Sequence, residues 1–222
     1  MTLSIEIGGL ADLEHVFGIL GRTVGPRTGP ETRTHDRKEW WCLRRYIFTL
    51  SAAGQLEFPI SITKGERPDF RCEFGPRSVG IEVSEATDPQ DQKGMTEFEQ
   101  SGVSQALVGS FGGRFPRGAG NPQRAWQSDV LDAVRSKSQV FKNYPDPLPE
   151  YVLLLYSNSN AASQIHDAMW PSVFSGCGPL NEQIWRQAPP DLKSVAAICG
   201  PWLMVLKPDR VQTYPLSLDA NT

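Results

Sequence analysis

Residues 151–156 read Tyr-Val-Leu-Leu-Leu-Tyr, with no charged or strongly polar side chain among them, and they constrain the fold more than any other stretch. A strand with one wet face alternates apolar and polar residues, so a strand apolar on both faces has to be covered on both. A helical pattern over residues 126–144 precedes it and is closed by Pro145, Pro147 and Pro149. A helix running directly into a doubly buried strand is a crossover, which a sheet with helices against its faces supplies. The run is also far short of the ~20 apolar residues needed to cross a membrane, and the N-terminus lacks a basic-then-apolar leader pattern. These features predict a soluble, cytoplasmic protein with no membrane partner.

The remaining elements suit one mixed sheet. Leu10, Leu13, Phe17 and Leu20 recur at helical spacing, and residues 21–34 read as a loop rich in Gly, Pro, Arg and Thr. A second helix is expected over 39–50 with Trp40, Leu43, Ile47 and Leu50 facing inward, Asp36-x-x-Glu39 as a capping box, and Gly54 as its stop. Residues 56–63 suit a strand, and 69–74 with 79–86 suit a hairpin joined by Gly75-Pro76-Arg77-Ser78. Residues 88–94 are polar, 96–108 are a helix candidate, and 109–123, dense in Gly, Arg and Pro, read as a loop. A further short helix is expected within 166–192, then strands at 195–199, 202–206 and 211–214, the last two joined by Lys207-Pro208-Asp209. At 222 residues this amounts to a single α/β domain over 1–222, since a common domain holds ~150 residues.

The net charge of -3 gives no whole-molecule attraction to nucleic acid, but the charge is uneven. Residues 21–45 carry seven basic against three acidic side chains, residues 101–145 six against two, and residues 82–99 one against six. Basic segments flanking an acidic one suit a cation-loaded site with phosphate-binding walls, and equally suit ordinary solvated surface. Cys42, Cys72, Cys177 and Cys199 never form C-x-x-C, and His15, His35 and His166 are scattered, which favours structural thiols and satisfied or solvated histidines over zinc. There is no Gly-Lys-Ser/Thr phosphate loop and no G-x-S-x-G elbow, and Cys42 lies among Trp and Leu in a helix.

The stretch that carries chemistry is Arg67-Pro68-Asp69-Phe70 followed, twelve residues after Phe70 ends its run, by the Glu82-Val83-Ser84-Glu85 segment. Strand side chains alternate, so Glu82 and Ser84 share one face while Ile81 and Val83 face the core. In a hairpin, Asp69 and Glu82 converge on one hard cation that prefers oxygen ligands, Mg2+ or Mn2+ rather than zinc. In the 126–144 helix, Trp126, Val130, Ala133, Val134, Phe141 and Tyr144 form a stripe centred near Lys137. An ammonium there either compensates buried acids or snorkels to water.

Pro68-Asp69 and Glu82-Val83-Ser84 resemble the motif of the PD-(D/E)XK nuclease superfamily, except that the family has Lys where Ser84 stands. The resemblance covers about 36–160, with an N-terminal helical extension and a C-terminal strand-rich one. It implies a restriction-endonuclease-like mixed β-sheet core flanked by helices, and a metal-dependent nuclease hydrolysing nucleic-acid phosphodiesters, DNA favoured. It also implies that Asp69, Glu82 and the carbonyl of Val83 hold Mg2+ or Mn2+. Lys137, or else Lys93, would replace the motif lysine. Glu39 has two competing roles, assisting the metal from the preceding helix or completing its capping box, while Glu66 and Glu85 could assist a second metal or be plain surface. Arg114, Arg117 and Arg124 of the Gly-rich loop could bind the nucleic-acid backbone, and a homodimer would allow paired cuts. From another class, the competing function is a catalytically inactive module of the same fold that binds nucleic acid or a protein partner.

Overall fold

The structure is a computed structural model, and it describes residues 4–19, 35–87, 121–141, 143–144, 146–157 and 160–217. The expected loop at 21–34, the polar stretch and helix at 88–108, and most of the Gly-rich loop, with Lys93, Arg114 and Arg117, lie outside the described residues.

Among the described residues eight strands form one sheet in sequential order. They are β1 (Ser4–Ile7), β2 (Ile60–Lys64), β3 (Phe70–Phe74), β4 (Arg77–Ala86), β5 (Glu150–Ser157), β6 (Leu192–Cys199), β7 (Trp202–Lys207) and β8 (Arg210–Pro215). The pairs β4–β5 and β5–β6 are parallel, and the other neighbours are antiparallel. Helices α1 (Leu10–Ile19) and α2 (His35–Ala52) pack on one side. On the other side lie α3 (Pro122–Phe141), α4 (Asn160–Ser163), a 3-10 turn at Asp167–Met169, α5 (Trp170–Ser175) and α6 (Gly178–Trp185). The architecture is therefore mixed α/β, with a mixed sheet flanked by helices. Among the described residues no helix is long and apolar enough to cross a membrane.

Strand β5 shows why the apolar run was decisive. Val152, Leu154 and Tyr156 enter the core under α2, while Tyr151, Leu153 and Leu155 enter the core under α3. Each such side chain, once buried, stabilises the fold by roughly 1.5–3 kcal/mol, so the two layers meet along this strand. The terminal strands extend the same sheet: Ala196 and Val205 join the first core, Ala197 and Met204 the second.

Several boundaries moved for local reasons. Helix α2 begins at His35, so Asp36 lies within its first turn instead of ahead of it, and the expected capping box is not what positions Glu39. Its far end is a Schellman-type stop: Gly54 adopts φ 65, Gln55 N–H donates to Leu50 O at 2.8 Å and Gly54 N–H to Ser51 O at 3.0 Å. Strand β2 begins at Ile60, directly after Pro59, which has no N–H to give a ladder. Strand β1 was not anticipated: four residues are too short for a periodicity to register. Helix α3 begins at Pro122, where Asn121 Oδ1 accepts the Arg124 N–H at 3.1 Å as an N-cap.

Gly80 of β4 is required by packing. A Cβ there would come within 2.6 Å of the Tyr151 ring and 3.0 Å of Pro68, and Tyr151 is itself fixed by stacking on Phe141 at 5.1 Å and by the Leu148 N–H, which donates to its hydroxyl at 2.8 Å. Gly80→Ala is expected to lower the stability by ~1–3 kcal/mol, read as a shifted urea midpoint with unchanged slope; an unchanged midpoint would show that Tyr151 yields freely.

Candidate active site

The hairpin register builds the centre of the site. Strands β3 and β4 pair with Phe70 opposite Ile81 and Arg71 opposite Gly80, and continuing that register by one residue sets Asp69 opposite Glu82. Asp69 Oδ2 accepts the backbone N–H of Val83 at 2.7 Å. Both carboxylates are buried, Asp69 at 8% and Glu82 at 5% exposure. Ile81 and Val83 alternate into the core under α2, which turns Glu82 toward α3.

Two groups from the crossover complete Glu82. Lys137 Nζ of α3 donates to Oε1 at 2.7 Å and the Tyr144 hydroxyl to Oε2 at 2.5 Å. The lysine side chain keeps 27% exposure against 7% for the glutamate, so the pair runs from the interior to the solvent edge with its ammonium outermost. Tyr144 follows the end of α3 and is held edge-on by Phe141 at 5.7 Å and Tyr151 at 5.4 Å. Burial, and then the hydrogen bond to Glu82, push its phenol well above the usual range.

Asp69 is compensated least. Burial first, and the charge of Glu82 second, raise its pKa from 3.8 to about 7, with the Val83 N–H pulling the other way. Glu39 raises it further and Lys64 lowers it, which ties a second ion pair to the site: Lys64 Nζ on β2 pairs with Glu39 Oε2. Lys64 also lies 4.7 Å from the Phe70 ring centroid, and Trp40 packs on that ring at 4.8 Å. Glu39 is 3% exposed.

The structure thus brings Asp69, Glu82, Val83 and Lys137 together, with Glu39 beside them. Ser84, where the motif lysine would stand, is half-buried on the strand, and the ammonium comes from α3. Glu85 is engaged by the Tyr156 hydroxyl at 2.8 Å and Glu66 is exposed. Arg124 lies in the first turn of α3 and not in the loop where the sequence put it. Lys137 follows it by thirteen positions, ~20 Å along a helix, so it does not line the carboxylates. The sequence reading missed Lys64 and Tyr144. The signal for Tyr144 was its position two turns beyond Lys137, where its ring suited the apolar stripe and its hydroxyl went unread.

All four cysteines are buried free thiols, and burial, the largest cause, raises the pKa of Cys42 well above the usual thiol value, which suits packing and not nucleophilic work. His166 caps the 3-10 turn, accepting the Ala168 N–H at 3.3 Å. Among the described residues no three His, Cys, Asp or Glu side chains form a metal-ligating group; the site offers two opposed carboxylates. No family model matches the chain, and no curated protein or solved structure is significantly similar to it.

In metal-free buffer Asp69 binds its proton more tightly folded than unfolded, with a pKa of about 7 against 3.8. Its contribution to stability is therefore fully present below about pH 4 and is lost as pH rises through about 7, with a slope of at most ~1.4 kcal/mol per pH unit. Relative to Asp69→Asn, the wild-type urea midpoint should fall from about pH 5 to pH 8; parallel profiles for the two proteins would contradict this.

Proposed function

We propose that this chain is a metal-dependent nuclease with a restriction-endonuclease-like core, hydrolysing nucleic-acid phosphodiester bonds, with DNA as the favoured substrate. The observation that carries the reading is the opposition of Asp69 and Glu82 at the start of β3 and on β4, with the Lys137 ammonium on Glu82 Oε1 at 2.7 Å. The order α2, β2, β3–β4 hairpin, α3, β5 agrees with the helix, strand, acid-bearing hairpin, lysine-bearing helix and buried strand that the motif resemblance implies.

The residues fit a hard divalent cation. Asp69 Oδ1 has no hydrogen-bond partner among the described residues, and the mutual repulsion of two buried carboxylates is what a cation between them relieves. Asp69, Glu82 and the Val83 carbonyl would hold Mg2+ or Mn2+. When bound, such an ion supplies Lewis acidity toward a phosphate oxygen and lowers the pKa of water. The protein's own groups do the positioning: the Val83 N–H fixes the Asp69 carboxylate, Tyr144 and Lys137 fix that of Glu82, and Lys137, partly exposed, stabilises negative charge that develops on the phosphate. Arg114 and Arg117 are the proposed contacts to the flanking backbone, and a homodimer would place two such centres for paired cuts.

The test is cleavage of labelled DNA and RNA, single- and double-stranded, in Mg2+, Mn2+ or chelator. Wild type is expected to cut in metal only. Asp69→Asn should lose at least ~100-fold in rate with thermal unfolding near that of wild type, and Lys137→Met ~100- to 1,000-fold with a lowered unfolding temperature, because Glu82 loses its ion pair. Cleavage that persists in chelator or in Asp69→Asn would overturn the assignment. Salt-sensitive binding without any cleavage, unaffected by Asp69→Asn, would instead identify the inactive binding module.

A further inference from the structure

At the other end of these strands, on the α2 side, a partly open cavity of about 290 Å³ indents the surface. Val79, Val152 and Val205 line it from β4, β5 and β7, and Leu50 and Phe74 from α2 and β3. Tyr46, another lining residue, follows Glu39 by seven residues on α2, ~10 Å of helix, and Val79 precedes Val83 on β4 by ~13 Å. The cavity is therefore distinct from the carboxylate site.

Among the described residues its charged lining consists of three cations, Arg77, Lys193 and Lys207, against one anion, Glu150. Arg77 pairs with Glu150 at 2.6 Å, and Lys193 Nζ donates to the Pro190 carbonyl at 2.7 Å. The Lys207 ammonium has no ion pair or hydrogen bond among the described residues. Burial, and then the positive charges of Arg210 and Arg77, make that ammonium harder to keep charged. An anion beside it would offset both.

Tyr46 is an independent indication. It is 5% exposed and lines the cavity, yet its hydroxyl makes no hydrogen bond among the described residues. The hydroxyl is not sealed from solvent and can take a partner from the cavity, and the charges of both Arg77 and Glu150 act on it. A cation and a hydroxyl donor, both without a protein partner among the described residues, above an apolar floor match a ligand with one anionic head and a compact apolar body. A volume of about 290 Å³ lies at the small end of ligand pockets, the size of a single-ring acid and not of a nucleic-acid strand.

We infer that this cavity binds a small organic anion, its head held by Lys207 and the Tyr46 hydroxyl and its apolar part resting on Val79, Val152 and Val205. The experiment is calorimetric titration of the full chain, in chelator, with phenyl phosphate, and with benzyl alcohol as the uncharged counterpart. Phenyl phosphate should bind at one site, with affinity reduced at least ~10-fold in Lys207→Met and ~3- to 10-fold in Tyr46→Phe, the range expected for losing a charged and a neutral hydrogen-bond partner. Benzyl alcohol should bind far more weakly, and Asp69→Asn should bind phenyl phosphate like wild type. Tyr46→Phe keeps the ring and its packing, so it reports even if Lys207→Met unfolds. No saturable binding up to ~10 mM, affinity unmoved by the cavity variants, or binding lost in Asp69→Asn would overturn the inference, the last by placing the probe at the carboxylates.

Discussion

Burying negative charge is the constraint on which this site depends. Glu39, Asp69 and Glu82 are each more than nine-tenths buried, at 3%, 8% and 5% exposure, and an ionised carboxylate out of water costs several kcal/mol unless partners compensate it. Glu39 has Lys64, and Glu82 has both Lys137 and Tyr144. Asp69 has a single backbone N–H and faces another carboxylate. Such groups add little to stability compared with an apolar pair of the same volume. The fold is held by the two apolar layers on either side of β5, and the acids are carried against that stability, the pattern on which the proposed chemistry rests.

Strand β4 is where the sheet changes from antiparallel to parallel pairing, and the site needs both. The antiparallel side is a tight hairpin, which sets Asp69 across from Glu82; a slip of one residue would turn Glu82 into the core under α2. The parallel side requires a crossover, and the crossover helix α3 brings Lys137 over the same strand. Tyr144 depends on the same packing, since its ring is held by Phe141 and Tyr151, and Tyr151 in turn lies against Gly80. The distant cavity shares α2 and β4 with the site but uses their opposite ends.

What was legible in the sequence follows from which rules are local. Period-two alternation placed Glu82 opposite to Val83, and the Gly-Pro turn fixed the hairpin that delivers Asp69. Lys137 stood out as a charge inside an apolar stripe. The doubly buried β5 announced helices on both faces. Lys64 carried no signal of its own, because nothing near it in sequence says that Glu39 lies across from it. Glu39 fitted a capping box whose first member proved to be inside the helix, and Arg124 was assigned to a loop because the stop in the Gly-rich composition is set by Asn121 capping, a one-residue signal. The cavity was invisible for the same reason as Lys64: Tyr46, Arg77 and Lys207 are joined only by tertiary packing.

The most direct measurement is Mn2+ binding to the purified chain by electron paramagnetic resonance, comparing wild type with Asp69→Asn and Glu82→Gln. If the opposed carboxylates form a cation site, wild type should sequester Mn2+ and quench the free-ion signal, and either substitution should restore it. A free-ion signal unchanged by wild-type protein, or quenched equally by all three proteins, would contradict the claim that Asp69 and Glu82 hold the metal.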